Sequence, residues 1–303
     1  METLVQNRKL NNSNAIQAYV NECEMKFDFA LHSLGDVVAA SPEARVVTLS
    51  GPTCSGKTTT ADNLVSDVIR AGRSIFTISI DDFFFDRDVM KAQAAAEGRE
   101  VDFESIDAID MELFTECVED IYAKRKTLLP KFDFVSGKRM PLTEFQPKYY
   151  DVILFEGIQA NYPEIVALLG KYPYVSISTN VRRALKVGGE VFEPREIRLC
   201  RRIVRDIRKR ASSAENTLGM WKTVTDNEDR NILPYENSAQ LKLDSLMGYE
   251  LNILKNPLLE ALAGIPEDSE WYPTRTCLEK KVENIDPIGK EYIPEGSMYW
   301  EFL

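Results

Sequence analysis

LSGPTCSGKTTT, residues 49–60, decides how the rest of the chain is read. Gly51, four residues, then Gly56-Lys57-Thr58 is the spacing of a loop that cradles phosphates. The two glycines let the backbone turn sharply and bring N–H groups close to phosphate oxygens. Lys57 can reach β- and γ-phosphates, and the Thr58 hydroxyl can ligate Mg²⁺. The expected nucleotide-holding segment is therefore Gly51, Pro52, Thr53, Cys54, Ser55, Gly56, Lys57, Thr58 and Thr59, with Cys54 a spacer rather than a nucleophile. An apolar run, RVVTLSG (45–51), precedes the loop and reads as a buried strand. A helix is expected to follow to about Ile69, adding its positive N-terminal end. The motif says that phosphates are held; it does not say where the phosphate goes.

Outward from the loop, strand and helix alternate. SIFTISI (74–80), YDVILFEGI (150–158) and YPYVSIST (172–179) read as further strands, and Leu241 to Asp244 as a short last one. Helices are expected over Asp110 to Lys126, Glu193 to Arg210 and Tyr249 to Leu262, with a hairpin in FDFVSGKRM (132–140). Strands apolar throughout and separated by helices predict an α/β fold, a mainly parallel sheet covered on both faces. Before the loop, Ile16, Tyr19, Cys23, Phe27, Ala30, Leu31, Leu34 and Val38 recur at helical spacing between Asn11 and Ala40, with Asn14 as cap. This helix is expected to pack on the core, with homo-oligomerisation through it as the alternative. The resulting division is 1–44 N-terminal helix, 45–265 main domain and 266–303 C-terminal appendage.

The bulk numbers restrict function by exclusion. A formal net charge of −11 over 303 residues argues against nucleic acid or a membrane surface as partner, since both need a positive field. No apolar run approaches the roughly 20 residues of a membrane span, and no apolar leader opens the chain, so a cytoplasmic location is expected. Five scattered cysteines without a CxxC pair suit a reducing compartment. The lone histidine, His32, lies far from every motif, which removes mechanisms that need a histidine base.

In a parallel sheet, ligands sit at the carboxyl ends of the strands. Asp81 and Asp82 end the second strand and Glu156 ends VILFE. A carboxylate there can hold Mg²⁺ or accept a proton from a hydroxyl. Asp82 has capping as an equal alternative. REIRLCRRIVRDIRKR (195–210) concentrates arginines on one helix. These are read as a lid over transferred phosphate, against the alternative of a solvated face.

Taken in order, GPTCSGKTT, SIDDFF, DFESIDAID, KFDFVSGKR, ILFEGI and RLCRRIVRDIRKR resemble the uridine kinase and phosphoribulokinase family of P-loop kinases. The resemblance covers about 45–262. It implies a P-loop NTPase-like three-layer sandwich, an arginine-bearing lid helix and a small hairpin over the substrate site. It also implies ATP- or GTP-dependent phosphorylation of a small molecule's hydroxyl, the 5′-hydroxyl if the acceptor is a nucleoside, with Mg²⁺. Carried over residue by residue, Asp81 is the general base and Glu156 assists the metal beside Thr58. Arg202, Arg205 and Arg210 are the lid arginines, Arg205 with a catalytic and substrate role. Asp82, Phe84, Phe103, Glu104 and Phe132 line the acceptor site. The chain departs from the family where Gly137 replaces a base-reading histidine, Ser212 a lid arginine, and Phe84 and Phe132 two tyrosines. A sugar, polyol or other hydroxyl compound is therefore the alternative acceptor, and an NTP-binding regulatory protein the alternative class.

Overall fold

The computed structural model describes residues 2–6, 10–98, 101–103, 105–134 and 136–303. Strand β1 (Thr3–Val5) precedes helix α1 (Ser13–Ala39), then β2 (Val46–Ser50), α2 (Lys57–Arg70), β3 (Ile75–Ser79), α3 (Arg87–Ala96) and α4 (Met111–Tyr122). Next come β4 (Thr127–Asp133), β5 (Lys138–Phe145), β6 (Val152–Glu156), α5 (Pro163–Leu169), β7 (Tyr174–Asn180), β8 (Ala184–Val187) and β9 (Glu190–Phe192). The chain continues through α6 (Pro194–Arg210), α7 (Ala214–Asn227), α8 (Leu233–Glu236), β10 (Leu241–Asp244), α9 (Glu250–Leu262) and α10 (Tyr272–Val282).

The central sheet runs β10-β7-β2-β6-β3, with every pair parallel. Two-residue periodicity divides its strands between two apolar cores. Val47, Leu49, Leu154 and Ile177 face α1, α2, α6 and α9, whereas Val46, Ile153 and Phe155 face α4, α5 and the β4–β5 hairpin. This is the expected α/β three-layer arrangement.

Several expectations shift. The cap of α1 is Asn12, not Asn14: its side chain accepts from the Ala15 amide at 2.9 Å. Helix α4 stops at Tyr122, because Thr127–Asp133 pairs with Lys138–Phe145 in a hairpin longer than the expected 132–140. The segments β1, β8 and β9 form a small separate sheet that no periodicity announced. Helix α1 packs along α2, where half-exposed His32 meets the Asp67 carboxylate at 2.9 Å. The C-terminal residues Met298, Tyr299, Phe302 and Leu303 are buried in the same core as α1 and α9. No helix among the described residues is long and apolar enough to cross a membrane.

Candidate active site

The phosphate loop spans the gap between β2 and α2. Gly56 takes a left-handed conformation at φ 86°, and a Cβ there would overlap the Met298 thioether. Only glycine suits that backbone and that close approach. Ser55 Oγ inside the loop is buried without a partner among the described residues, a donor that a phosphate oxygen would satisfy. The Lys57 ammonium folds across the loop, donating to the carbonyls of Gly51 at 2.8 Å and Pro52 at 3.1 Å. Burial lowers its pKa, and the charges of Glu156, Asp81 and Glu301 push back. Thr58, one residue on, is exposed at the helix start.

Sheet register brings the carboxylates to the loop. Glu156 stands opposite Leu49 of β2 on one side and Ser79 of β3 on the other, and Asp81 follows two residues after Ser79. Burial pushes the Asp81 carboxyl up to about 6, and the Glu156 charge adds to it; Lys57 and a hydrogen bond from Gln159 partly offset both. Two carboxylates and one ammonium thus share a desolvated pocket at the strand ends. Gln159 carried no sequence signal beyond following the EGI motif. It is fully buried and holds Asp81, while its Oε1 has no partner among the described residues.

Asp82 points elsewhere. Its two oxygens accept from the Lys131 ammonium and the Phe132 amide, each at 3.0 Å, so it fastens the hairpin to the strand end. Phe84 and Phe132 meet edge to face at 5.6 Å, and both meet the half-exposed Phe134. Arg139 locks this corner, donating to the carbonyls of Phe83 and Phe84, each at 3.0 Å, and to Asp110 at 2.9 Å. Gly137 sits at the hairpin turn with φ +69°, and the Arg87 side chain lies against it. Phe103 is exposed, and Glu104 lies outside the described residues.

Helix α6 excludes the alternative of a solvated basic face for four of its arginines. Arg198, Arg201, Arg202 and Arg205 are all buried. Arg198 donates to both oxygens of Glu228, at 2.5 and 2.6 Å, and to the Thr53 carbonyl at 3.2 Å. Arg201 pairs through two nitrogens with Glu250 and donates to the Cys54 carbonyl at 3.0 Å. These two arginines brace the phosphate loop from behind, a role that spacing within the helix could not reveal. Arg202 and Arg205 converge on Asp206, at 3.3 and 2.7 Å, with Thr217 donating to the same carboxylate; Arg210 approaches it at 3.9 Å. Burial and repulsion from Arg205 lower the Arg210 pKa. The predicted lid arginines therefore form one cluster beside the loop.

For Mg²⁺ the donor chemistry fits. The Thr58 hydroxyl and Glu156 carboxylate are hard oxygens, and no group of three His, Cys, Asp or Glu side chains among the described residues could hold a metal alone. Two protein oxygens with phosphates completing the shell is how Mg²⁺ is usually held.

This geometry defines a P-loop nucleotide-binding protein with an ionisable pocket at the strand ends. The family model described as "Phosphoribulokinase / Uridine kinase family" matches residues 46–250, and the chain belongs to that family of P-loop kinases. It is 27% identical over 199 residues to a uridine kinase of Ureaplasma urealyticum serovar 10, covering 65% of this chain and 86% of that one. It is 28% identical over 184 residues to uridine-cytidine kinase 2-B of Danio rerio, covering 59% and 64%. The solved structure of the YGR205w protein superposes with a TM-score of 0.50 at 15% identity, over 71% of this chain and 89% of that one, which bears on the fold alone.

Proposed function

We propose that the chain is an ATP-dependent small-molecule kinase that transfers the γ-phosphate to a hydroxyl, most favourably the 5′-hydroxyl of a nucleoside. The observation that carries this reading is the register that sets Asp81 and Glu156 at adjacent strand ends beside the phosphate loop, where burial and the Glu156 charge raise the Asp81 carboxyl to about 6. A base of that strength is ionised at neutral pH yet keeps real proton affinity. The acceptor oxygen forms a bond to the γ-phosphorus while the bond from that phosphorus to the β–γ bridging oxygen breaks. The acceptor's proton passes to an Asp81 carboxylate oxygen, and ADP departs. Lys57 and the cluster of Arg202, Arg205 and Arg210 would neutralise the charge that spreads over the phosphoryl oxygens. Thr58 and Glu156 would hold Mg²⁺, whose chemistry here is charge neutralisation across the β- and γ-phosphates.

The uridine and uridine-cytidine kinase relatives favour a nucleoside acceptor. One observation favours a second reading. The acceptor corner is built of Phe84, Phe132 and Phe134 with Gly137 at its turn, and this trio of phenylalanines has no hydroxyl to pair with a pyrimidine edge. Such a corner suits a sugar or polyol whose polar groups are read elsewhere. Incubating the protein with ATP, Mg²⁺ and separate panels of nucleosides and polyols, with ADP release as readout, decides between them. Turnover on polyols and on no nucleoside would sink the nucleoside version.

A further inference from the structure

The family match ends at residue 250, yet a segment nearly fifty residues later lies on the phosphate loop. Tyr299 and Phe302 are fully buried beneath the Arg201 guanidinium, at 5.9 and 5.2 Å from their ring centres. The Tyr299 hydroxyl donates to Glu250 at 3.0 Å, and the Ser297 hydroxyl donates to Glu24 at 2.6 Å. Met298 packs on Gly56. With its neighbours anchored in this way, Glu301 remains half-buried, one carboxylate oxygen 3.4 Å from the Thr59 hydroxyl. Its charge also acts on Lys57 and Arg205.

The direction of approach matters. Asp81 and Glu156 reach the loop from the β6 and β3 side. Gly56 is approached by Met298 and Ser245, the latter just after β10 on the opposite edge of the sheet. In-line transfer puts the acceptor and the donor's remaining phosphates on opposite sides of the phosphorus. The nucleoside of the donor must therefore leave toward β10 and the C-terminal segment. A carboxylate placed there is repelled by phosphate, but it is the right partner for neutral donors. It can accept two hydrogen bonds, and a ribose offers two adjacent hydroxyls.

We propose that Glu301 belongs to the donor site and accepts hydrogen bonds from the 2′- and 3′-hydroxyls of the nucleoside triphosphate, so that the chain selects ribose over its deoxygenated forms. This inference rests on the kinase reading for the presence of a triphosphate. The chemistry matches that of an acidic side chain holding ribose hydroxyls in dinucleotide-binding folds.

The test is calorimetric titration of the full chain in Mg²⁺ with ATP and with 2′,3′-dideoxy-ATP, for wild type, Glu301→Ala and Glu301→Gln. Wild type should bind ATP at least about tenfold more tightly than the dideoxy form, the scale of hydrogen bonds to a charged acceptor. Glu301→Ala should abolish the preference for ATP over the dideoxy form while binding dideoxy-ATP at least as tightly as wild type does, since a charge repelled by phosphate is gone; that binding also shows that the loop is still folded. Glu301→Gln should fall between. Equal wild-type affinities would overturn the proposal and leave the kinase reading standing. So would a Glu301→Ala variant that keeps the wild-type preference for ATP. Wild type binding neither nucleotide overturns both readings.

Discussion

Replacing Asp81 by Asn should make the protein more stable and almost inactive, and the size of the first effect should depend on pH. The Asp81 carboxyl moves from 3.8 to about 6 on folding, chiefly because burial penalises its charged form and secondarily because Glu156 repels it. A folded pKa above the unfolded one means that the native state holds the proton more tightly. The contribution is therefore fully favourable below pH 3.8 and is lost as pH rises through about 6. A shift of about 2 units corresponds to a penalty on the order of 3 kcal/mol above pH 7, but only about 0.5 kcal/mol at pH 4. Asn has nothing to ionise and escapes the penalty. With an unfolding entropy of roughly 2 cal/mol/K per residue, Asp81→Asn should raise the melting temperature by about 5 °C at pH 8 and about 1 °C at pH 4. Turnover should fall by about 10²–10⁴, the usual worth of a positioned base, and wild-type kcat/KM should decline below pH about 6. Scanning calorimetry at the two pH values and an ADP-release assay read both halves. A variant less stable than wild type at pH 8, or one that keeps normal turnover, would refute the assignment.

Glu156→Gln removes the like charge beside Asp81, so the acid limb of the pH–rate profile should move below about 6 while turnover falls roughly ten- to a thousandfold; stopped-time assays across pH check both. Arg201→Met strands the buried Glu250 carboxylate and should cost about 3–5 kcal/mol in urea unfolding, with Arg201→Met/Glu250→Leu recovering a substantial part. Gly56→Ala must adopt φ near 86° and displace Met298, so it should destabilise by about 1–3 kcal/mol and abolish ATP binding in a titration.

The central sheet was legible because its inner strands VVTLS and VILFE are buried on both faces and read as apolar runs, while the edge strand IFTIS keeps the β-branched and aromatic character of a strand. Thr127–Asp133 did not. TLLPKFD continues the apolar rhythm of α4, and only its pairing with Lys138–Phe145 makes it a strand. The β1, β8 and β9 pieces are three or four residues long, below the length at which periodicity carries information. Asp81 and Glu156 could be read because strand ends are where a parallel sheet presents its chemistry. Gln159 and Glu301 could not, since only the folded chain brings Gln159 to Asp81 and Glu301 to Thr59.

The arginine helix shows what was hidden most clearly. In sequence its arginines are equivalent, and a lid and a solvated face both fit them in composition. In the fold they separate by the carboxylates that meet them. Arg198 faces Glu228 and Arg201 faces Glu250, partners 30 and 49 residues away, so each pair is neutral, and one further donor of each reaches a loop carbonyl. Neither can offer much to a phosphate without exposing a buried charge. Arg202, Arg205 and Arg210 share the single carboxylate of Asp206, which leaves an excess of two positive charges in their cluster. In a chain of net charge −11, that local excess beside the phosphate loop is what can draw a polyphosphate to this edge of the sheet. Neutralising Asp206 should therefore raise the attraction while loosening the geometry, whereas altering Arg198 or Arg201 should act through the loop alone.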